Sequence, residues 1–413
     1  MTSKAAAETV ATATPTGDVQ GIMGKLKGFR KRISDGDLGS VPVVVGVILI
    51  WGVFQTLNPR FLSSGNLVNL ALQSAAVGTI ALGVVLVLLL GQIDLSIGSI
   101  SGLSAAVLAV TFVLHQWPLG VSIAFALVIG TGIGALYGFL FTRFGVPSFV
   151  ITLAGLLGLL GVQLWVLGNL GSINLPFDSW VVQFAQQMFL PAWLSYVLSV
   201  VAAGLYFGSR FLSSRRREAA GLSSTSIVEI SIKAGLLLAV LVFGCRHLNT
   251  GRGIGVMFVT FVALVVLFNY LLTRTTWGRS IYAVGGNVEA ARRAGIHVNR
   301  VYISVFMVAT TLAALGGLFA AARLAAANQA SGGGDTNLTA IAAAVIGGTS
   351  LFGGRGSAWS ALLGIIVIMS ISSGLTLLNL DSSVRYMVTG VVLLLAVIVD
   401  SLSRRSRASH GRA

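Results

Sequence analysis

Charge is what this chain has least of: only 9% of its 413 residues are Asp, Glu, Lys or Arg, against about 25% in a soluble domain. That composition cannot cover a water-facing surface. With 55% hydrophobic residues and a mean hydropathy of +0.91, it excludes a soluble globular protein and points to a chain solvated by lipid. One cysteine, Cys245, excludes an internal disulfide and a cysteine-based metal cluster, and the four histidines show no ligand spacing. Proline is scarce at seven residues. The sequence contains no G-x-x-x-x-G-K-[ST] loop, no nucleophile elbow, no H-E-x-x-H and no carboxylate pair in a plausible site, so the chain is not expected to hydrolyse ATP itself. Its formal charge of +15 does not indicate nucleic acid, because the basic residues sit in short loops between apolar runs.

Glycine, by contrast, is abundant: 51 residues, about 12% against roughly 7% on average. Small residues at four-residue spacing, Gly98 and Gly102, then Gly130, Gly134 and Gly138, predict close helix packing in a membrane. Apolar runs near 41–57, 67–90, 95–114, 119–141, 149–168, 190–208, 227–244, 254–272, 301–322, 338–352, 358–380 and 385–401 give an all-α, polytopic transmembrane helical bundle of about 10–12 spans. Residues 1–40, which include the basic stretch Lys25–Arg32, are read as a disordered cytosolic tail, 41–402 as the transmembrane domain and 403–413 as a second cytosolic tail. With both termini in the cytosol, the loops on that side collect twenty-one basic residues and the opposite side five, the expected asymmetry.

Two spans depart from the pattern. Residues 227–244 carry Glu229 and Lys233, a pair at i and i+4 that can snorkel to the interface. Leu338–Phe352 is only fifteen residues and runs into "IGGTSLFGGRGS", where Gly347, Gly348, Gly353, Gly354 and Gly356 interrupt a helix. A broken or half-length segment is expected there, and such segments line cavities.

The longest cytosolic loop after the tail, residues 273–300, holds "GGNVEAARRAGIHVNR". Asn287 is placed as an N-cap, Glu289 lies in the first turn with Arg292 and Arg293 at i+3 and i+4, and Gly295 ends the helix. Two turns need a partner surface to be stable. Ala290, Ala291 and Gly295 offer a small-residue face for docking; the plainer reading is a basic topological anchor.

"EAARRAG", Glu289–Gly295, resembles the EAA-type cytosolic motif of ABC importer permeases. "GRSIYAVGGNVEAARRAGI", "GQIDLSIGSISG" from Gly91 to Gly102 and "GGTSLFGGRGS" from Gly347 to Ser357 are similar to the ribose and xylose branch of that family, with Gln92 replacing a glycine. The longer region 171–270 resembles the xylose-type subgroup. The resemblance implies a bacterial inner-membrane permease for a monosaccharide, D-xylose in the first instance and ribose or arabinose otherwise. It also implies a homodimer of permease chains, a cytosolic ATP-binding subunit that holds the ATP and Mg, and an extracytoplasmic sugar-binding protein. Residues 287–295 would then be the coupling helix, and transport would proceed by alternating access.

The remaining polar positions have two readings each. Asp94 either caps a helix starting at Leu95 or joins Gln92 and Ser96 in a polar patch at the inner end of the pathway. Thr349 and Ser350 bond sugar hydroxyls or satisfy the backbone of a broken segment. Asn66, Asn69 and Gln73 line the translocation path or hold helices together. An ion-coupled secondary transporter is the main rival; it needs intramembrane ionisable groups, of which Asp94, Asp381 and the Glu229–Lys233 pair are the few on offer. A membrane scaffold or receptor is the second rival, with no use for three glycine-rich breaks.

Overall fold

The computed structural model describes residues 41–384, 386–388, 390, 391, 394 and 398. Both expected tails and most of the apolar run at 385–401 lie outside the described residues. Uninterrupted apolar sequence between glycine and proline punctuation produces long helices: α1 (Val41–Leu57), α2 (Ser64–Leu89), α3 (Ile97–Ala109, extended by a π-turn Val110–Leu114), α4 (Leu119–Phe144) and α5 (Ser148–Leu167). A strand, β1 (Ser172–Asn174), and a short helix, α6 (Trp180–Gln186), precede α7 (Ala192–Ala219), α8 (Ile227–Asn249) and α9 (Val256–Arg274). Then come α10 (Thr276–Gly286), α11 (Val288–Arg293), α12 (Val298–Leu324), β2 (Ala326–Asn328), α13 (Gly334–Ile346) and α14 (Trp359–Leu377). Among the described residues nine helices are long and apolar enough to cross a membrane. The fold is a polytopic helical membrane bundle.

Helices α2 and α3 form the interior, with 89% and 78% of their most apolar windows buried, and α12 packs against both as well as against α4. The α4 glycines make that last contact possible. A Cβ at Gly130 would stand 2.7 Å from the Ala314 Cβ, and one at Gly138 would stand 2.6 Å from the Ile303 Cα, so the small-residue stripe brings two helix backbones together as expected. Gly98 and Gly102 seat a different partner, the carbonyls of Gly332 and Ser331 ahead of α13. Helices α13 and α14 pack on α2, and α1 packs on α14.

The pair α7 and α8 is peripheral, packing mainly on itself. Leu248 packs it against the bundle's core, and two polar bonds add to that contact: the Ser64 hydroxyl donates to the Leu248 carbonyl at 2.9 Å, and His247 Nε2 lies 2.6 Å from the Leu62 carbonyl. The doubtful 227–244 run is a full helix of 23 residues, about 35 Å long, because Glu229 and Lys233 bond each other at 2.8 Å near its exposed start. The short segment keeps its half-length character with shifted bounds. It spans 13 residues from Gly334 to Ile346 instead of 338–352, about 20 Å, because Asp335 stands in its first turn and Gly348 takes φ +101° after its end. β1 and β2 pair antiparallel, with Ser172 opposite Asn328 and Asn174 opposite Ala326. This ribbon marks the end of the bundle opposite α10 and α11.

Candidate functional site

Helix α11 is built as its sequence implies. The Asn287 side chain accepts from the Ala290 N–H at 2.9 Å, and Glu289 pairs with Arg292 at 2.7 Å. The Ile296 N–H returns to the Ala291 carbonyl at 3.1 Å around Gly295, whose φ is +82°, a Schellman-type stop. Two details differ from expectation. Arg292, and not Arg293, holds Glu289. Ala291 is buried in the protein's own core at 3% exposure, because helical spacing puts it on the inward side with Val288. The outward face therefore consists of Glu289, Ala290, Arg292, Arg293, Ala294 and Gly295.

Just before α11, three glycine segments far apart in sequence meet at the end of α2. The Gly354 N–H donates to the Leu89 carbonyl at 2.8 Å. A Cβ on Gly353 would lie 2.7 Å from the Gly285 carbonyl oxygen and 2.8 Å from the Gly91 nitrogen, and one on Gly285 would overlap the Leu89 carbonyl oxygen. The Tyr282 hydroxyl adds a bond to the Gly356 carbonyl at 2.8 Å. Backbone thus lies on backbone, a contact only glycine permits. The arrangement is a clasp joining the last turn of α10, the exit of α2 and the return from α13.

Within that return, Gly347 lies against the Ser360 carbonyl. Ser350 serves backbone: its N–H donates to the Arg355 carbonyl at 3.0 Å and its hydroxyl accepts from the Phe352 N–H at 3.2 Å. Thr349 is 1% exposed and its hydroxyl has no hydrogen-bond partner.

Asp94, in the connection between α2 and α3, is buried. Its Oδ1 accepts from the Ser96 N–H at 2.8 Å and the Ser96 hydroxyl at 2.7 Å, while Oδ2 has no partner. It does not cap a helix at Leu95: that residue's N–H goes to the Thr152 hydroxyl at 3.1 Å, and α3 begins two residues later with Ser96 as its N-cap. The Asn337 amide donates to the Leu95 carbonyl, fastening α13 to the same connection. Gln92 is half-buried and does not join the Asp94–Ser96 pair; its side chain bonds Tyr302 of α12 instead. Burial pushes the Asp94 carboxyl up from 3.8 to about 6, against the lowering effect of the Ser96 bonds. A folded pKa above the unfolded one means the native state holds the proton more tightly, so stability from this group falls as pH rises from about 4 to about 6. Asp94→Asn should flatten the melting temperature over that interval relative to the parent protein, measured by thermal unfolding in detergent; parallel profiles for the two proteins would refute the assignment.

At the other end of α2 the predicted stripe divides. Asn66 is helix glue: its amide donates to the Phe61 carbonyl at 2.7 Å and its oxygen accepts from the Ser373 hydroxyl at 2.9 Å. Asn69 accepts from Arg252. Gln73 faces a cavity of about 380 Å³ bounded by α2, α3, α12, β2, α13 and α14. Of the twelve expected pathway or gating positions, only Gln73 lines this cavity. Sequence reasoning missed Arg323, Asp335, Thr336 and Ser372, which line it too. The signal in the sequence was Arg323 at the end of an apolar run, with an acid, Asp335, ahead of the half-helix.

A many-helix membrane bundle with one half-length helix, a polar cavity beside it and an exposed capped helix at the opposite end has the architecture of a transport permease. A family described as branched-chain amino acid transport system, permease component, matches residues 66–397. The xylose transport system permease protein XylH of Escherichia coli K12 is 35% identical over 364 residues, 88% of this chain and 92% of XylH. XylH of Haemophilus influenzae is 32% identical over 88% of this chain and 96% of its own length, and the ribose import permease protein RbsC of E. coli K12 is 32% identical over 87% and 92%. No solved structure matches significantly. The chain belongs to this permease family, on its ribose and xylose branch.

Proposed function

We propose that this chain is the membrane-spanning subunit of an ATP-driven importer that carries D-xylose across the bacterial cytoplasmic membrane, with the α10–α11 end and both termini in the cytosol. The likeness to XylH over nine-tenths of that protein's length carries the reading. It works as a homodimer, with a separate cytosolic subunit that binds ATP and Mg and an extracytoplasmic protein that delivers the sugar. Asn287–Gly295 is the coupling helix. Its exposed face meets the ATPase, and the clasp at Gly285, Gly91 and Gly353 carries the displacement to the inner ends of α2 and α13. Asp94 and Ser96 brace that inner end, and Gly347, Gly348, Thr349 and Ser350 form the turn that moves with it.

The rival is an ion-coupled carrier, and the observation in its favour is the buried Asp94 carboxyl. Uptake of radiolabelled D-xylose separates the two. Chain-dependent uptake that survives a protonophore and stops when ATP is depleted is the expected result; uptake lost with the proton gradient while ATP remains would establish the carrier instead.

A further inference from the structure

We propose that the cavity of about 380 Å³ between α2, α12 and α13 is a resting site for one uncharged monosaccharide in transit, held by Arg323 and Asp335. The proposal rests on the reading of the chain as a sugar permease.

The size is near the lower end of the roughly 300–1,000 Å³ typical of small-molecule pockets, and the walls between the polar groups mix small residues, Ala76, Ala105, Gly317 and Ala320, with larger apolar ones, Val77, Ile80, Leu324 and Met369. The small residues leave room for a ring, and the larger ones give its carbon face a surface to lie on. Five side chains on the lining, Gln73, Arg323, Asp335, Thr336 and Ser372, make no side-chain hydrogen bond or ion pair within the protein among the described residues. A half-buried guanidinium without a protein partner is costly unless something else accepts from it. By contrast, Asn66, Asn69 and Gln163, polar residues near the same end, are already engaged with protein groups.

The chemistry of the free set selects the ligand. Arg323 is donor-only, ionised Asp335 is acceptor-only, Gln73 is both, and Thr336 and Ser372 are hydroxyls that turn either way. One positive and one negative group balance, so neither an anion nor a cation is favoured. Neighbouring ring hydroxyls, each a donor and an acceptor, match this array. The position fits transit, since Asp335 and Thr336 lie in the first turn of α13, whose far end returns through the glycine clasp. A tilt of this half-helix would change the cavity and the inner end together.

The assembled transporter, reconstituted in vesicles, provides the test. Thr336→Cys is introduced into the native background, where Cys245 is buried, and its modification by a charged maleimide is timed. D-xylose at about four times its dissociation constant should slow the reaction about fivefold, and equal glycine betaine should not. The exposed Asp178→Cys, at the same end and outside the cavity, should react at an unchanged rate. Adding Asp335→Asn to Thr336→Cys should reduce the protection to less than about twofold. Protection by D-ribose or another monosaccharide but not by D-xylose supports the cavity and overturns the xylose reading. If no monosaccharide slows modification at Thr336→Cys or at Ser372→Cys on the facing helix, or if Asp178→Cys slows equally, the site is overturned.

Discussion

Gly285→Ala is expected to abolish transport and to lower the melting temperature, whereas Gly286→Ala, one residue away, should leave uptake within about twofold of the parent. The contrast comes from what each new methyl would meet. At Gly285 it would overlap the Leu89 carbonyl oxygen and come within 2.8 Å of the Gly354 nitrogen, two backbone atoms that cannot rotate aside. The 2.8 Å bond between those atoms would have to open, and overpacking of this kind costs about 1–3 kcal/mol. At Gly286 nothing lies within 4 Å. Uptake, membrane abundance and thermal unfolding of the two variants check the clasp, and indistinguishable behaviour would mean that the three glycine segments do not grip one another.

Gly295→Arg should remove uptake by at least about tenfold at unchanged membrane abundance, while Gly295→Asn should transport. Position 295 has φ +82° and open space where a side chain would project. Asparagine accepts that left-handed conformation more readily than most residues, so the Asn variant isolates the effect of the backbone. Arginine adds a long cation to the outward face beside Arg292 and Arg293, where the coupling assignment puts a partner subunit. Normal transport by Gly295→Arg would sink that assignment. Loss in both variants would point to helix termination and not to docking.

The spans were legible because lipid imposes a length and an apolarity that hydropathy reads directly. The α11 caps were legible because capping is local chemistry. Placement was harder. Helices such as α2, apolar almost all round beyond the polar stripe at its start, carry little periodicity to say which face meets which neighbour, so nothing announced that α12 would lie against α2, α3 and α4. Gly91, Gly285 and Gly353 lie in three separate stretches of the sequence, and only the fold shows their backbones meeting at the exit of α2. Ala291 read as part of a docking face because spacing gives the period of a short helix and not its rotation. The cavity escaped for a related reason: Arg323, Asp335 and Ser372 occupy three different elements with no common spacing.

The place of α12 at the centre of the bundle also sets an order of assembly. Roughly 150 residues of chain separate the end of α4 at Phe144 from the start of α12 at Val298, on the order of ten seconds of synthesis at about 5–20 residues per second. Throughout that interval the groove formed by α2, α3 and α4 has emerged without the helix that fills it, and Gly130, Gly134 and Gly138 face a vacancy. Until α12 arrives lipid occupies that groove, so the α4 glycines meet their partner backbone only late in synthesis.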